Sequence, residues 1–166
     1  MRARHGIATL TMLLGGPTCV GCVPVGQGAA NKALVRGYME EVLNRGNPGA
    51  AARYFPPEGF VLNGTRLVPE QLATMRQRIL TAFPDFQVVI EDQVAERDRV
   101  VTRVTFCGTH LGEYRGIAPT GRRVAYQGIA VDRIEAGKVV EGWHQADDLG
   151  LLRQLGVSPG REPRRP

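Results

Sequence analysis

Apolar positions recur at helical spacing in the first half of the chain and alternate in the second. In "KALVRGYMEEVLNRG", Leu34, Val35, Tyr38 and Val42 share a face. That spacing predicts a helix with Asn31 as its N-cap and Gly46 at its end. "NPGAAARYF" reads as a short second helix begun by Asn47 and Pro48. "PPEGF" breaks it, and a short strand follows around Phe60 to Leu62. "VPEQLATMRQRILTAFPDF" is the next clear helix: Leu72, Met75, Arg76, Ile79 and Leu80 fall on related faces, between Pro69 and Pro84. From Phe86 onward the period falls to two. "FQVVIEDQVAE", "RVVTRVTFCGTHLGEY", "RRVAYQGIAVDRIEAG" and "KVVEGWHQA" read as strands, with turns at "ERDR" and "EAGK". "LGLLRQLG" closes the pattern as a short helix ending at Gly156.

Helices first, then a meander of about four long strands, define an α+β fold. A half-buried antiparallel sheet needs helices over one face. If the sheet curves, it forms a cone or half-barrel covered by the N-terminal helices, with a short C-terminal helix at its end. Such a cone has one open mouth, a natural pocket for a flat apolar ligand.

The charge of +5 changes this picture little. Without Arg2, Arg4, Arg161, Arg164, Arg165 and Glu162, 16 basic and 15 acidic residues remain. The middle is therefore near neutral, and a nucleic-acid partner is not expected. The chain divides into a leader (1–22), a linker (23–30), one domain (31–157) and a basic tail (158–166) read as disordered. The leader has a basic start, an apolar run too short to span a bilayer, and small residues before Cys22. Two readings stay open: export, either free or through a lipid anchor at Cys22, and a cytoplasmic protein whose translation starts later, for example at Met12. Cys19 and Cys22 lack the further ligands of a zinc site, and Cys107 reads as a small core residue. The only lysines, Lys32 and Lys138, open a helix and sit in a turn, so Schiff-base chemistry is not expected.

The segments "YMEEVLNRG", "AFPDFQVVIEDQVAERDRVVTRVTFCGTHLGEYRGIAPTGRRV" and "VDRIEAGKVVEGWHQADDLGLLRQLG" together resemble the SnoaL-like polyketide cyclases, or ester cyclases, of the nuclear transport factor 2-like superfamily. The resemblance covers residues 31–156. It implies an α+β cone, a homo-oligomer, and an intramolecular aldol-type cyclisation without metal or cofactor. It also implies an acid/base aspartate four residues after the tryptophan of the last strand, which is Asp147 after Trp143. The carbon nucleophile in such substrates is already acidic, so the protein need only hold a reactive conformer and exchange protons. Many members carry a His on the strand that opens the pocket; here Asn63 stands near that place.

Each candidate also has a plainer reading. Alternation puts Val139, Glu141, Trp143, Gln145 and Asp147 on one face of the last strand. Asp147 could cap the final helix instead, although Asp148 could serve as that cap. Trp143 is either core or a stacking wall. His110, on the face of Val104 and Phe106, is a candidate helper in proton transfer, or a strand-end histidine bonded to backbone. His144 falls on the face opposite Asp147 and ranks below His110. Tyr38 is a core residue whose hydroxyl could reach a pocket. Asp85 fixes a helix-to-strand turn. The expected site is thus Asp147 and His110 as catalytic residues, with Trp143, Tyr38, Gln145, Asn63 and Phe106 around the substrate.

Two functions follow. One is a cofactor-free cyclase or isomerase acting on a polyketide-like, enolisable carbonyl compound. The other is an exported module that binds a small hydrophobic or aromatic carbonyl ligand in the same cone without chemistry. A dimerising scaffold with an occluded pocket is a weaker third.

Overall fold

The computed structural model describes residues 26–157; the leader, residues 23–25 of the linker, and the tail lie outside the described residues. The first helix, α1 (Gln27–Tyr38), continues as a π-helical turn over Met39–Asn44. A 3₁₀ turn (Pro48–Ala50) leads into α2 (Ala51–Tyr54), and a hairpin of β1 (Phe60–Leu62) and β2 (Thr65–Leu67) precedes α3 (Pro69–Ala82). Four long strands follow: β3 (Gln87–Glu96), β4 (Arg99–Thr109), β5 (Arg123–Glu135) and β6 (Lys138–Ala146). Helix α4 (Asp148–Leu155) ends the domain. The α+β architecture and the four-strand meander expected from the periodicity are those observed. Among the described residues no helix is long and apolar enough to cross a membrane.

The six strands form one sheet in the order β2-β1-β6-β5-β4-β3, antiparallel except for β1 against β6. Irregular register between Ile90 and Asp92, and between Arg133 and Ile134, marks bulges, which increase local twist and bend a sheet. The inner face carries Val88, Val100, Val104, Ala130, Ile134 and Val139, packed on Val35, Tyr38, Met39 and Val42 of the first helix and on Phe55 and Phe60. A second, smaller cluster forms where α4 lays Leu151 and Leu155 against Val124, Ala82 and Phe83.

Three local expectations are corrected. Asn31 does not cap α1, which begins four residues earlier; it is buried and its amide donates to the Arg97 carbonyl, tying the helix to the β3–β4 turn. Cys107 is only half buried, on the outward face of β4 opposite Gln87 and Ala125. The β1–β2 hairpin adds two strands to the meander, with only Phe60–Leu62 visible as a strand in the sequence.

Candidate functional site

A cavity of about 150 Å³ lies between the inner sheet face, the first helix and α3. That is room for roughly five waters, at about 30 Å³ each. Its walls are apolar: Leu43, Phe55, Phe60, Leu62, Leu72, Met75, Ile79, Phe86 and Val139. The polar side chains on it are Tyr38, Asp132, His144 and Arg76. A smaller cavity of about 90 Å³ shares Leu43 and His144 with the first, and Phe106, Ala130 and Ala146 line it on the sheet side.

The π-helical turn shapes this space. Five residues advance an α-helix by about 140°, which would point Tyr38 and Leu43 apart. The wider turn, seen in the Arg45 N–H donating to the Glu40 carbonyl five residues back, lets both line one cavity. Its free carbonyls at Leu43 and Asn44 accept from the Arg76 guanidinium at 2.6 and 2.9 Å. These bonds satisfy a helix end that would otherwise lack partners. Burial holds the Arg76 pKa below the usual arginine range.

Asp132 is the chemical centre of the cavity. It is 1% exposed, on the inward face of β5. The Tyr38 hydroxyl donates to its Oδ2 at 3.0 Å, and His144 Nε2 lies 3.2 Å from its Oδ1. A buried carboxylate needs such partners to stay ionised. An ionised carboxylate only accepts, so this network places the His144 proton on Nε2. In the neutral ring Nδ1 is then the nitrogen with the lone pair, and it has no hydrogen bond among the described residues. Burial first, and the charge of Asp132 second, push the Tyr38 phenol well above its ordinary pKa, so it stays a donor. Gly142 faces Asp132 across the β5–β6 pair. A Cβ there would sit 3.1 Å from Asp132 Oδ1 and 3.2 Å from His144 Nε2, so the glycine leaves space for the pair to meet.

The expected site residues are dispersed. Tyr38 reaches the cavity as anticipated. Asp147 lies outside it: exposed, it caps α4 by accepting the Gly150 N–H at 2.8 Å. Asp148, its rival for that cap, lies instead in the first turn of α4 and pairs with Arg115. The alternation over Glu141–Asp147 holds, but the face shared by Trp143 and Asp147 is the outer one. Trp143 is 39% exposed and carries the Arg99 guanidinium over its ring. The bulge at Arg133/Ile134 turns Val139 inward, away from the alternation. His110 is fully buried beside Phe83 in the second cluster; its Nδ1 accepts from the Thr120 N–H, and it lines neither cavity. Gln145 and Phe106 border the smaller cavity, and Phe106 stands between Phe86 and Tyr126. Asn63 lies on the exposed β1–β2 turn, bonded to the main chain of His144. Asp85 accepts from the Thr109 N–H and hydroxyl, pinning the α3–β3 turn to β4.

Asp132 and Gly142 are not among the residues expected at the site, and His144 ranks there below His110, yet each leaves a signal in the sequence. Inward positions of β5 read Val124, Tyr126, Gly128, Ala130, Asp132, Ile134. A lone acid in that series, opposite a mid-strand glycine, marks a close polar contact.

The SnoaL-like polyketide cyclase family pattern matches residues 33–155. The aklanonic acid methyl ester cyclase AcmA of Streptomyces galilaeus is 34% identical over 134 residues, covering 77% of this chain and 93% of that protein. Among solved structures, AclR of Streptomyces galilaeus, named as a hydroxylase, aligns with a TM-score of 0.68 at 33% identity, over 80% of this chain and 100% of AclR. IdmH of Streptomyces antibioticus, named as a polyketide cyclase, aligns with a TM-score of 0.68 at 28% identity, over 76% of this chain and 99% of IdmH.

Proposed function

The chain belongs to the SnoaL-like polyketide cyclase family, and from that premise we propose that it closes a ring in a polyketide-like carbonyl compound by an intramolecular aldol reaction, with His144 as the proton carrier and Asp132 as its partner. The observation that carries this reading is the Tyr38–Asp132–His144 network, with its phenol and carboxylate buried and its imidazole partly exposed, on the wall of an otherwise largely apolar cavity.

In this mechanism, Nδ1 of His144 removes a proton from the carbon between two carbonyl groups, leaving an enolate. Asp132, bound at Nε2, stabilises the imidazolium that forms. Tyr38 occupies the second carboxylate oxygen, so the negative charge stays fixed in place. The enolate carbon attacks a ketone of the same molecule, one C–C bond forms, and the new alkoxide takes the proton back from His144. Substrate and product are isomers. The apolar walls exclude water and hold the chain folded so that its two carbons meet. This mechanism moves the acid/base role from Asp147 to residues that line the cavity.

Aklanonic acid methyl ester, the compound named for the similar cyclase, is the probe of choice. Ring closure leaves its mass unchanged and alters its retention. The likeness to AclR supports a second reading, hydroxylation, in which dioxygen would be the oxidant and an added two-electron reductant would carry its second oxygen atom to water, and whose product would be heavier by one oxygen atom; the incubation therefore includes air and such a reductant. Incubation followed by liquid chromatography and mass spectrometry separates the two. An unchanged probe with wild-type protein would count against both and favour a binding module.

A further inference from the structure

We propose that Asn63 is a positioning residue, whose side-chain amide sets the His144 imidazole against Asp132; the inference rests on the reading of that pair as the working site. β1 pairs with β6 over two positions only, Val61 with Glu141 and Leu62 with Gly142. The chain then turns into β2, so the next stretch of β6 has no strand on that edge, while β5 stays paired along the other. Asn63 fills the gap. Its main-chain N–H donates to the Gly142 carbonyl at 2.9 Å. Its Nδ2 donates to the His144 carbonyl at 3.0 Å, and its Oδ1 accepts the His144 N–H at 2.8 Å.

A side-chain amide offers one donor edge and one acceptor edge, as a peptide group does, and here it extends β1 by one pairing step. In an antiparallel pair, the N–H and C=O of a residue point to the same neighbour. Those of His144 point to Asn63 and hence away from β5. With both groups held, the direction of the His144 Cα–Cβ bond is set, and the ring meets Asp132 at 3.2 Å. Asn63 has φ of 49°, in the left-handed region that asparagine tolerates better than most residues. The turn thus needs a residue that accepts this backbone, and the clamp needs an amide. Asn63 is exposed and lines neither cavity, so its influence on the reaction passes through His144.

The test uses ring-nitrogen correlation spectra of ¹⁵N-labelled full-length protein, which contains only three histidines. Four proteins are compared: wild type, Asn63→Gly, Gly64→Ala and Asp132→Asn. Asn63→Gly keeps the left-handed turn and deletes the amide. Gly64→Ala strains the same turn, at φ of 80°, where an added Cβ touches nothing within 4 Å. Asp132→Asn marks the His144 signals when its carboxylate partner is lost. The proposal expects the His144 signals of Asn63→Gly to move at least halfway to those of Asp132→Asn, with Gly64→Ala staying at wild type. Asn63→Asp, which keeps the acceptor and loses the donor, should lie between. Wild-type His144 signals in Asn63→Gly would overturn it, as would an equal shift in Gly64→Ala. With aklanonic acid methyl ester, Asn63→Gly should lower kcat about tenfold and leave KM within twofold. If wild type does not turn that probe over, the proposed cyclisation fails while the spectra still decide the role of Asn63.

Discussion

Replacing Tyr38 with Phe isolates one hydrogen bond to a buried charge. The two side chains have the same shape apart from the hydroxyl, so packing against Phe55 is kept. What disappears is the 3.0 Å donation to Asp132 Oδ2. Tyr38 and Asp132 are 2% and 1% exposed, so water has little access to replace it. Hydrogen bonds to charged groups contribute about 1.5–3 kcal/mol. A loss of about 2 kcal/mol corresponds to roughly 6–12 °C in Tm for a domain of this size. Urea unfolding gives the free energy directly, and differential scanning calorimetry the Tm. Asp132→Asn supplies the second arm of a double-mutant cycle: a neutral acceptor weakens the bond, so Tyr38→Phe should cost about 1 kcal/mol less in that background. A Tyr38→Phe effect under about 0.5 kcal/mol, or one of equal size in both backgrounds, would refute the argument that this hydroxyl holds the carboxylate.

Other substitutions probe the same arrangement. Gly142→Ala puts a methyl group against Asp132 and His144, and is expected to lower kcat by about 10–100-fold while costing roughly 1–3 kcal/mol of stability; steady-state kinetics and urea unfolding measure both. Asp147→Ala should lose about 1 kcal/mol of stability as a missing helix cap, whereas Asp147→Asn, itself a good cap, should lose almost none; urea unfolding of both variants decides. The raised Tyr38 pKa also predicts a pH effect. The unfolded phenol ionises near pH 10 while the folded one keeps its proton, so the unfolded state binds fewer protons and stability falls as pH rises above about 10. Below that pH the contribution is complete. The stability advantage of wild type over Tyr38→Phe should therefore shrink above pH 10 by up to about 1.4 kcal/mol per pH unit, a comparison in which Tyr54, Tyr114 and Tyr126 cancel.

Much of this architecture is legible in the sequence because it rests on local periodicity. The four long strands, α3, α4 and the short strand at Phe60–Leu62 follow from apolar spacing and from breakers such as Gly156 and Pro84. Less legible was which side of β6 faces inward. Alternation separates Trp143 from His144 but does not say which side is wet. The apolar indole suggested the core, yet the sheet keeps it outside under Arg99, and the inner positions hold Gly142 and His144. The start of α1 was also hidden, because Asn31 resembles a cap locally and is recruited by the distant Arg97 carbonyl. The Tyr38–Asp132–His144 network joins residues far apart in the chain. Nothing local predicts it except the oddity of an aspartate among the inward positions of β5.

The proposed mechanism gives proton transfer to Asp132 and His144, not to Asp147. The most direct measurement is single-turnover ring closure of aklanonic acid methyl ester by wild type, His144→Gln, Asp132→Asn and Asp147→Asn, followed by liquid chromatography and mass spectrometry. The account predicts closure by wild type, losses of roughly a hundredfold or more in His144→Gln and Asp132→Asn, and a rate within about threefold of wild type in Asp147→Asn, whose asparagine still caps α4. Near-wild-type closure by His144→Gln and Asp132→Asn, with the loss falling on Asp147→Asn, would contradict it.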